Sequence, residues 1–203
     1  EFPNSLTSDS ISIMDALKIY ARQVTGGFWM LKEEIKQREN QHSEMIATLA
    51  LIGRKQGYDI WIGRREQRER DNTLEAKKLS EYMTLKHLKV DNALNQDVVE
   101  NIDLLWIKNK VIAAVFEVES TTSMMSAIMR GSNVDALVDK FMVLPEEREA
   151  QFNNKMTSPL FREHFENENW KVIFFDALRA AYIKQKTNLD IYSIINKKAI
   201  SAG

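Results

Sequence analysis

Apolar residues in this chain fall into short runs and into longer segments with helical spacing. The short runs are rich in β-branched and aromatic residues and have the length of β-strands. They predict five strands, at residues 58–62, 102–107, 111–119, 141–144 and 170–175. Helical spacing and capping residues predict helices at residues 11–24, 28–38, 41–56, 74–88, 123–130, 146–156 and 176–184, with a last one near the C-terminus.

The order of these elements predicts the fold class. Strands that alternate with helices on both sides of an initial hairpin are typical of an α/β protein, in which helices flank a mixed β-sheet as an α/β/α sandwich. We expect residues 1–38 to form an N-terminal helical extension and residues 39–203 to form the domain with the sheet. A chain of 203 residues is long enough to bury one core of this kind.

Three acidic residues lie inside the predicted hairpin, in otherwise apolar strands. Alternation along a strand places Glu117 and Glu119 on the same face as Val115. A three-residue turn at 108–110 would place Asp103 opposite Val115, one diagonal step from Glu117. The sequence therefore predicts that three carboxylates converge at one place.

Convergent carboxylates in an apolar setting require a counter-charge, because burial and like charges both raise their pKa. A hard divalent cation, Mg²⁺ or Mn²⁺, provides that charge and prefers oxygen ligands. The alternative is structural: a single acid near a strand end is usually solvated or caps a helix. We favour a metal site because three acids occur together.

These residues carry a resemblance to a known family. The pattern D…ExE, followed by a Ser/Thr-rich helix start, resembles the PD-(D/E)xK nuclease superfamily. More narrowly, IDLLW…AAVFEVESTTS resembles restriction-endonuclease-like proteins with an ID-x-x-W…FE-x-E-x-T-T-S signature, over residues 39–180. The resemblance implies a restriction-endonuclease-like sandwich and divalent-metal-dependent hydrolysis of phosphodiester bonds, with DNA as the expected substrate in a prokaryotic restriction or repair protein.

The resemblance also implies roles for individual residues. Asp103 and Glu117 would be the principal metal ligands, and Glu44, on the first core helix, would complete the metal shell. Glu119 stands where the superfamily has a lysine, and it would position or activate the attacking water. The loss of that lysine leaves an alternative open, namely a degenerate module of this fold that serves DNA binding or protein interaction without cleavage.

Basic residues follow the strand at 58–62, in the segment GRREQRER. Such a segment beside the site could contact phosphates of a nucleic acid. Because glutamates such as Glu66 interrupt it, a solvated, salt-bridged loop is the alternative. The expected nucleic-acid contacts are Arg64, Arg65, Arg68 and, near the end of the helix at 123–130, Arg130.

Composition excludes several other functions. The sequence has no cysteine, which rules out thiolate metal sites and cysteine nucleophiles within these residues. Its three histidines show no zinc spacing, and His42 is interpreted either as a helix-start residue or as a group that orients a water or phosphate. Phosphate-binding GxxxxGK[ST], dinucleotide-binding GxGxxG and hydrolase GxSxG motifs do not occur in the sequence.

The sequence also bears on location and partners. No apolar run is long enough to span a bilayer and no signal peptide opens the chain, so we expect a cytoplasmic protein without a membrane partner. The chain begins with Glu1 and not Met, which suggests a fragment of something longer. Other domains of a parent chain and a second copy in a homodimer therefore stay open as protein partners.

Overall fold

The fold is taken from a computed structural model. It describes residues 18, 20–23, 29–67, 77–120, 123–185 and 188–196. The chain divides into two compact units, Glu1–Glu39 and Asn40–Gly203.

In the first unit, β1 (Ala21–Gln23) pairs antiparallel with β2 (Trp29–Leu31), a short ladder that the sequence did not predict. Most of the helix predicted at 11–24 lies outside the described residues, and its described end belongs to β1.

A single long helix, α1 (Lys32–Lys55), replaces the two helices predicted at 28–38 and 41–56. The charged residues between the two predicted helices, in the stretch EIKQREN, are largely Glu, Lys, Gln and Arg, which are good helix formers, so the helix continues through them. Gly57 ends it with a positive φ of 82°.

The central sheet of the described chain has five strands in sequence order. They are β3 (Asp59–Ile62), β4 (Leu104–Lys108), β5 (Val111–Val118), β6 (Asp139–Leu144) and β7 (Trp170–Phe174). The pairs β3–β4 and β4–β5 are antiparallel, whereas the pairs β5–β6 and β6–β7 are parallel. All five predicted strands are therefore present, and the predicted mixed sheet is confirmed.

Helices cover both faces of this sheet. They are α1, α2 (Gln96–Val99), α3 (Met124–Gly131), α4 (Glu149–Met156), α5 (Pro159–Asn167) and α6 (Phe175–Gln185). Residues of α1 and α6 share one core with one face of the sheet, and residues of α3, α4 and α5 share a second core with the other face. The α/β/α fold class is confirmed. The helix predicted at 74–88 is wrong over its described part, which contains only a short 3-10 turn at Leu79–Tyr82.

The β4–β5 hairpin differs from the prediction in its turn and register. Asn109 and Lys110 both have positive φ, 53° and 63°, so the turn has two residues and the conformation that suits a tight hairpin. Lys108 pairs with Val111, and an irregularity after Trp106 shifts the ladder. Continued by one residue beyond the Leu104–Phe116 pair, this register brings Asp103 level with Glu117, closer than the predicted diagonal step.

Helix α1 lies close against β4 because Gly53 has no side chain. A Cβ at this position would lie 2.3 Å from Nε1 of Trp106. That indole nitrogen donates a hydrogen bond to the carbonyl oxygen of Leu49, 3.1 Å away. The contact joins the helix that carries His42 to the strand that begins beside Asp103.

Candidate metal centre

Asp103 lies directly before β4 and is shared by two groups of side chains. Its Oδ2 accepts a hydrogen bond of 2.8 Å from the backbone N–H of Val118, which fixes the carboxylate against the end of β5. On one side lies the acid–arginine cluster, defined as Asp103, Glu117, Glu119, Arg130 and Arg148. On the other lies the histidine–acid cluster, defined as His42, Glu66 and Asp103.

In the acid–arginine cluster, Arg130 joins the two glutamates of β5. Both glutamates are fully buried, at 0% exposure. Nε of Arg130 donates to Oε1 of Glu117 over 2.7 Å, and Nη2 donates to the second carboxylate oxygen of Glu117. The same Nη2 lies 3.2 Å from Oε1 of Glu119. Arg130 therefore makes a two-pronged contact with Glu117 and bridges to Glu119, which is a strong arrangement for a buried carboxylate.

A second arginine enters the cluster from the turn after β6. Arg148 belongs to the 3-10 turn Glu146–Arg148 and is itself buried. Its Nη1 donates to the backbone carbonyl of Glu119 over 2.7 Å and lies 4.0 Å from the Glu119 carboxylate. Two arginines from different elements thus hold the end of β5.

The carboxylates of this cluster nevertheless exceed its positive charge. Burial raises the pKa of Glu117 well above its usual value and the charge of Asp103 raises it further, against the lowering effect of Arg130. Burial also raises the pKa of Asp103, where His42 acts to lower it and Glu66 to raise it. Burial alone would lower the pKa of Arg130, but its bonds to Glu117 and the nearby acids raise it, so it stays protonated. Additional positive charge near Asp103 would therefore be favourable.

The histidine–acid cluster brings together three segments that are distant in sequence. One potential ligand atom from each of His42, Glu66 and Asp103 lies within 4.8 Å of the others. Nε2 of His42 is 3.1 Å from Oε2 of Glu66. The three residues are 8%, 7% and 8% exposed, respectively. Two carboxylates and an imidazole that converge in a buried place form a donor set that fits a divalent cation.

Glu66 reaches this place because the turn after β3 is held to the backbone before β4. The N–H of Gly63 donates to the carbonyl of Asp103 over 3.1 Å, and the N–H of Glu66 donates to the carbonyl of Gly63 over 2.8 Å. A Cβ on Gly63 would lie only 2.6 Å from the carbonyl oxygen of Ile102. The close approach therefore needs a glycine, and it directs Glu66 inward.

The other predicted site residues lie outside both clusters or contact partners other than those predicted. Glu44 forms an ion pair with Arg179 of α6, with N–O distances of 3.1 and 3.2 Å, so its assignment as a metal ligand stays a prediction. Arg64 is exposed and pairs with Glu100, and Arg65 is exposed. Arg130 points at the acids of β5. Arg68 lies outside the described residues.

Sequence reasoning missed the roles of Glu66 and Arg148 and left His42 undecided. His42 had a usable signal, because it lies three residues before Met45 and seven before Leu49, on the buried stripe of its helix. Glu66 had none, since it is one acid in a mixed-charge segment. Arg148 looked like an ordinary charge at the start of a helix.

Comparisons with known proteins give one finding about family. A family model described as the type II restriction enzyme NmeDI C-terminal domain matches residues 30–202, which include every residue of both clusters. Searches of curated proteins and of solved structures found no match. None of the helices among the described residues is both long and apolar enough to cross a lipid bilayer.

Proposed function

The chain belongs to the family of the type II restriction enzyme NmeDI C-terminal domain, and from this we propose that it is a divalent-metal-dependent nuclease domain that hydrolyses phosphodiester bonds of DNA. Membership in a family of restriction-enzyme domains supports a DNA-related restriction function. The observation that carries the nuclease proposal is Asp103, a buried carboxylate shared by a donor set suited to a divalent cation and a cluster of acids held by arginines.

The residues that would hold the cation are Asp103 and Glu66, with His42 beside them. A divalent cation, when bound, supplies positive charge to the phosphate oxygens and lowers the pKa of water. Glu117, which the sequence predicts as a ligand, would have to bind the cation through a lone pair that its two contacts with Arg130 leave available. This assignment stays part of the proposal.

Glu117 and Glu119 would act on the attacking water. Their carboxylates lie at the end of β5, and Arg130 fixes them in one orientation. In the reaction, the water oxygen would form a bond to phosphorus while a carboxylate accepts the water proton, and the bond from phosphorus to the leaving sugar oxygen would break as that oxygen takes up a proton from solvent. Arg130, one-fifth exposed at its side chain, is also placed to contact a phosphate oxygen when DNA is bound.

DNA would approach from the side of the turn after β3. Arg64 and Arg65 are exposed and directly precede Glu66, so phosphates bound by them would lie near the histidine–acid cluster. Phosphate contacts of this kind position nucleic acid without specifying its sequence.

A second candidate function is supported by the contact between Arg130 and Glu117. This guanidinium already neutralises a carboxylate that the sequence assigns to the metal, as expected in a degenerate module that binds DNA or another protein without cleavage. The two functions make different predictions for a single assay.

Cleavage of supercoiled plasmid DNA with Mg²⁺ or Mn²⁺, and with EDTA as the metal-free arm, tests the proposal. We expect nicked or linear products only with metal, no cleavage by Glu117→Gln, and wild-type cleavage by Glu147→Gln, which changes an exposed acid. DNA binding by Glu117→Gln should persist in a gel-shift assay. Retained binding without cleavage under all metal conditions would favour the degenerate module, and cleavage in EDTA would exclude metal dependence.

A further inference from the structure

The histidine–acid cluster contains one nitrogen donor, and this donor affects which cation the site accepts. Nε2 of His42 lies 3.1 Å from Oε2 of Glu66. Two neighbouring ligand atoms on one ion, each about 2.1 Å from it, are separated by roughly 3 Å. In the metal-free protein this contact is a hydrogen bond or an ion pair, and the same spacing suits two ligands of one ion that takes the place of the proton between them.

The three donors are held in place by the fold. His42 lies on the buried stripe of α1 with Met45 and Leu49, both of which are fully buried. The turn that carries Glu66 is hydrogen-bonded to the backbone at Asp103 through Gly63. A packed helix therefore holds His42, and backbone hydrogen bonds at Gly63 tie the turn with Glu66 to Asp103, as a preorganised site requires.

On this geometry we propose that His42 is a direct metal ligand, together with Glu66 and Asp103, and that the site prefers Mn²⁺ or a similar transition-metal ion over Mg²⁺. Mg²⁺ prefers oxygen ligands and retains several waters, whereas imidazole nitrogen suits transition-metal ions. The inference rests on the proposed function in taking this ion as the one used for hydrolysis. It differs from the sequence prediction, in which all the ligands are carboxylates and Mg²⁺ is the first choice.

The arrangement also assigns different tasks to the acids around Asp103. Glu117 is held by Arg130 through both of its carboxylate oxygens. Glu66 contacts an imidazole, a group that can itself bind a metal when neutral. The second carboxylate ligand is therefore Glu66 from the turn after β3, and Glu117 remains with the arginine.

Electron paramagnetic resonance of the chain with Mn²⁺ tests this proposal without any substrate. Electron spin-echo modulation detects a directly bound imidazole through coupling to ¹⁴N. We expect this coupling in the wild type, its loss in His42→Gln and its retention in His164→Gln, in which a half-exposed histidine paired with Glu168 is changed. Far-UV circular dichroism and a thermal melt of each variant establish that it is folded.

Metal affinity provides a second measurement. His42→Gln should weaken Mn²⁺ binding by at least about tenfold, and Mg²⁺ binding much less, so the preference for Mn²⁺ should shrink. Mn²⁺ bound to the wild type without ¹⁴N coupling would overturn the proposal. So would coupling that survives in folded His42→Gln, or the absence of Mn²⁺ binding at millimolar concentration. If His42→Gln is unfolded, the exposed His87 and His164 are changed to Gln instead: coupling that persists in both variants assigns the nitrogen to His42, and its loss in either one overturns the proposal.

The nuclease proposal and this inference fail in different ways. Mg²⁺-dependent plasmid cleavage that His42→Gln leaves unchanged, together with no ¹⁴N coupling, removes the imidazole ligand and keeps the nuclease. A Mn²⁺ site with ¹⁴N coupling in a chain that never cleaves DNA keeps the ligand and removes the nuclease.

Discussion

The two clusters that share Asp103 balance their charge in different ways. In the acid–arginine cluster, Arg130 contacts Glu117 and Glu119, and an arginine stays protonated across the physiological pH range. In the histidine–acid cluster, Glu66 contacts an imidazole, which is charged only when it is protonated. The acid–arginine cluster therefore carries its own permanent cation, whereas the charge of the histidine–acid cluster depends on what binds there.

The largest expected change in stability comes from removing Arg130, the permanent cation of the acid–arginine cluster. Arg130→Met should lower the free energy of unfolding at neutral pH by about 3 kcal/mol, because it leaves the fully buried Glu117 without its ion pair. Urea denaturation measures this difference. The matched control is Arg179→Met, whose partner Glu44 is 23% exposed at its side chain and which should change the unfolding free energy by less than about 1 kcal/mol. If Arg130→Met changes the free energy of unfolding as little as Arg179→Met does, the acid–arginine cluster is solvated like a surface ion pair.

The next largest effect is the stabilisation that Mn²⁺ gives through the histidine–acid cluster. Mn²⁺ at about 100 times its Kd should stabilise the wild type by about 2.7 kcal/mol, measured as a shift in Tm. Glu66→Gln should reduce this shift strongly, because it removes a carboxylate of the histidine–acid cluster. Glu44→Gln should leave the shift intact, since Glu44 pairs with Arg179. A metal-induced shift that Glu44→Gln reduces and Glu66→Gln leaves intact would instead identify Glu44, the acid predicted from the sequence, as the ligand.

A smaller effect tests how the turn after β3 supports the second cluster. Gly63→Ala should destabilise the protein by about 2 kcal/mol, because the added methyl group meets the backbone of Ile102. It should also weaken Mn²⁺ binding, because Glu66 moves with the turn. Gly57→Ala is the control: its positive φ makes it destabilising by about 1 kcal/mol, yet it lies at the far end of α1 and should leave Mn²⁺ binding unchanged. Titration calorimetry that finds the same Mn²⁺ affinity for both variants would contradict this role of Gly63.

The smallest effect concerns pH and the shared residue. Burial raises the pKa of Asp103 and of Glu117 in the folded state. As pH falls through these raised values the folded state takes up protons first, so this site contributes increasing stability to the metal-free protein until about pH 4, where the unfolded chain is protonated too. Asp103→Asn should make the metal-free protein about 1 kcal/mol more stable at neutral pH and should reduce this gain.

Thermal melts in EDTA between pH 8 and pH 4, roughly the range set by these pKa values, measure the pH effect. Asp97→Asn changes an exposed acid and should keep the wild-type pH dependence. If the pH dependence of Asp103→Asn coincides with those of the wild type and of Asp97→Asn, Asp103 is not a buried carboxylate that neighbouring acids repel.

Local patterns were sufficient to predict much of the fold. All five strands lie where runs of apolar and β-branched residues predict them, and the faces of β5 from Ala114 onward follow from simple alternation. The predicted hairpin turn is one residue too long, because Asn109 and Lys110 both adopt positive φ and form a two-residue turn. A register depends on such single-residue conformations, and here the correction brings Asp103 closer to Glu117.

Local periodicity and burial are thus enough to predict the order of strands, the fold class and the positions of Asp103, Glu117 and Glu119 in the hairpin. The surroundings of those acids depend instead on tertiary contacts. Arg130 reaches Glu117 from the helix that follows the strand, and Glu66 reaches Asp103 through a close backbone approach at Gly63. Such contacts join residues that are distant along the chain, and their charges depend on burial and on neighbours that no local pattern encodes.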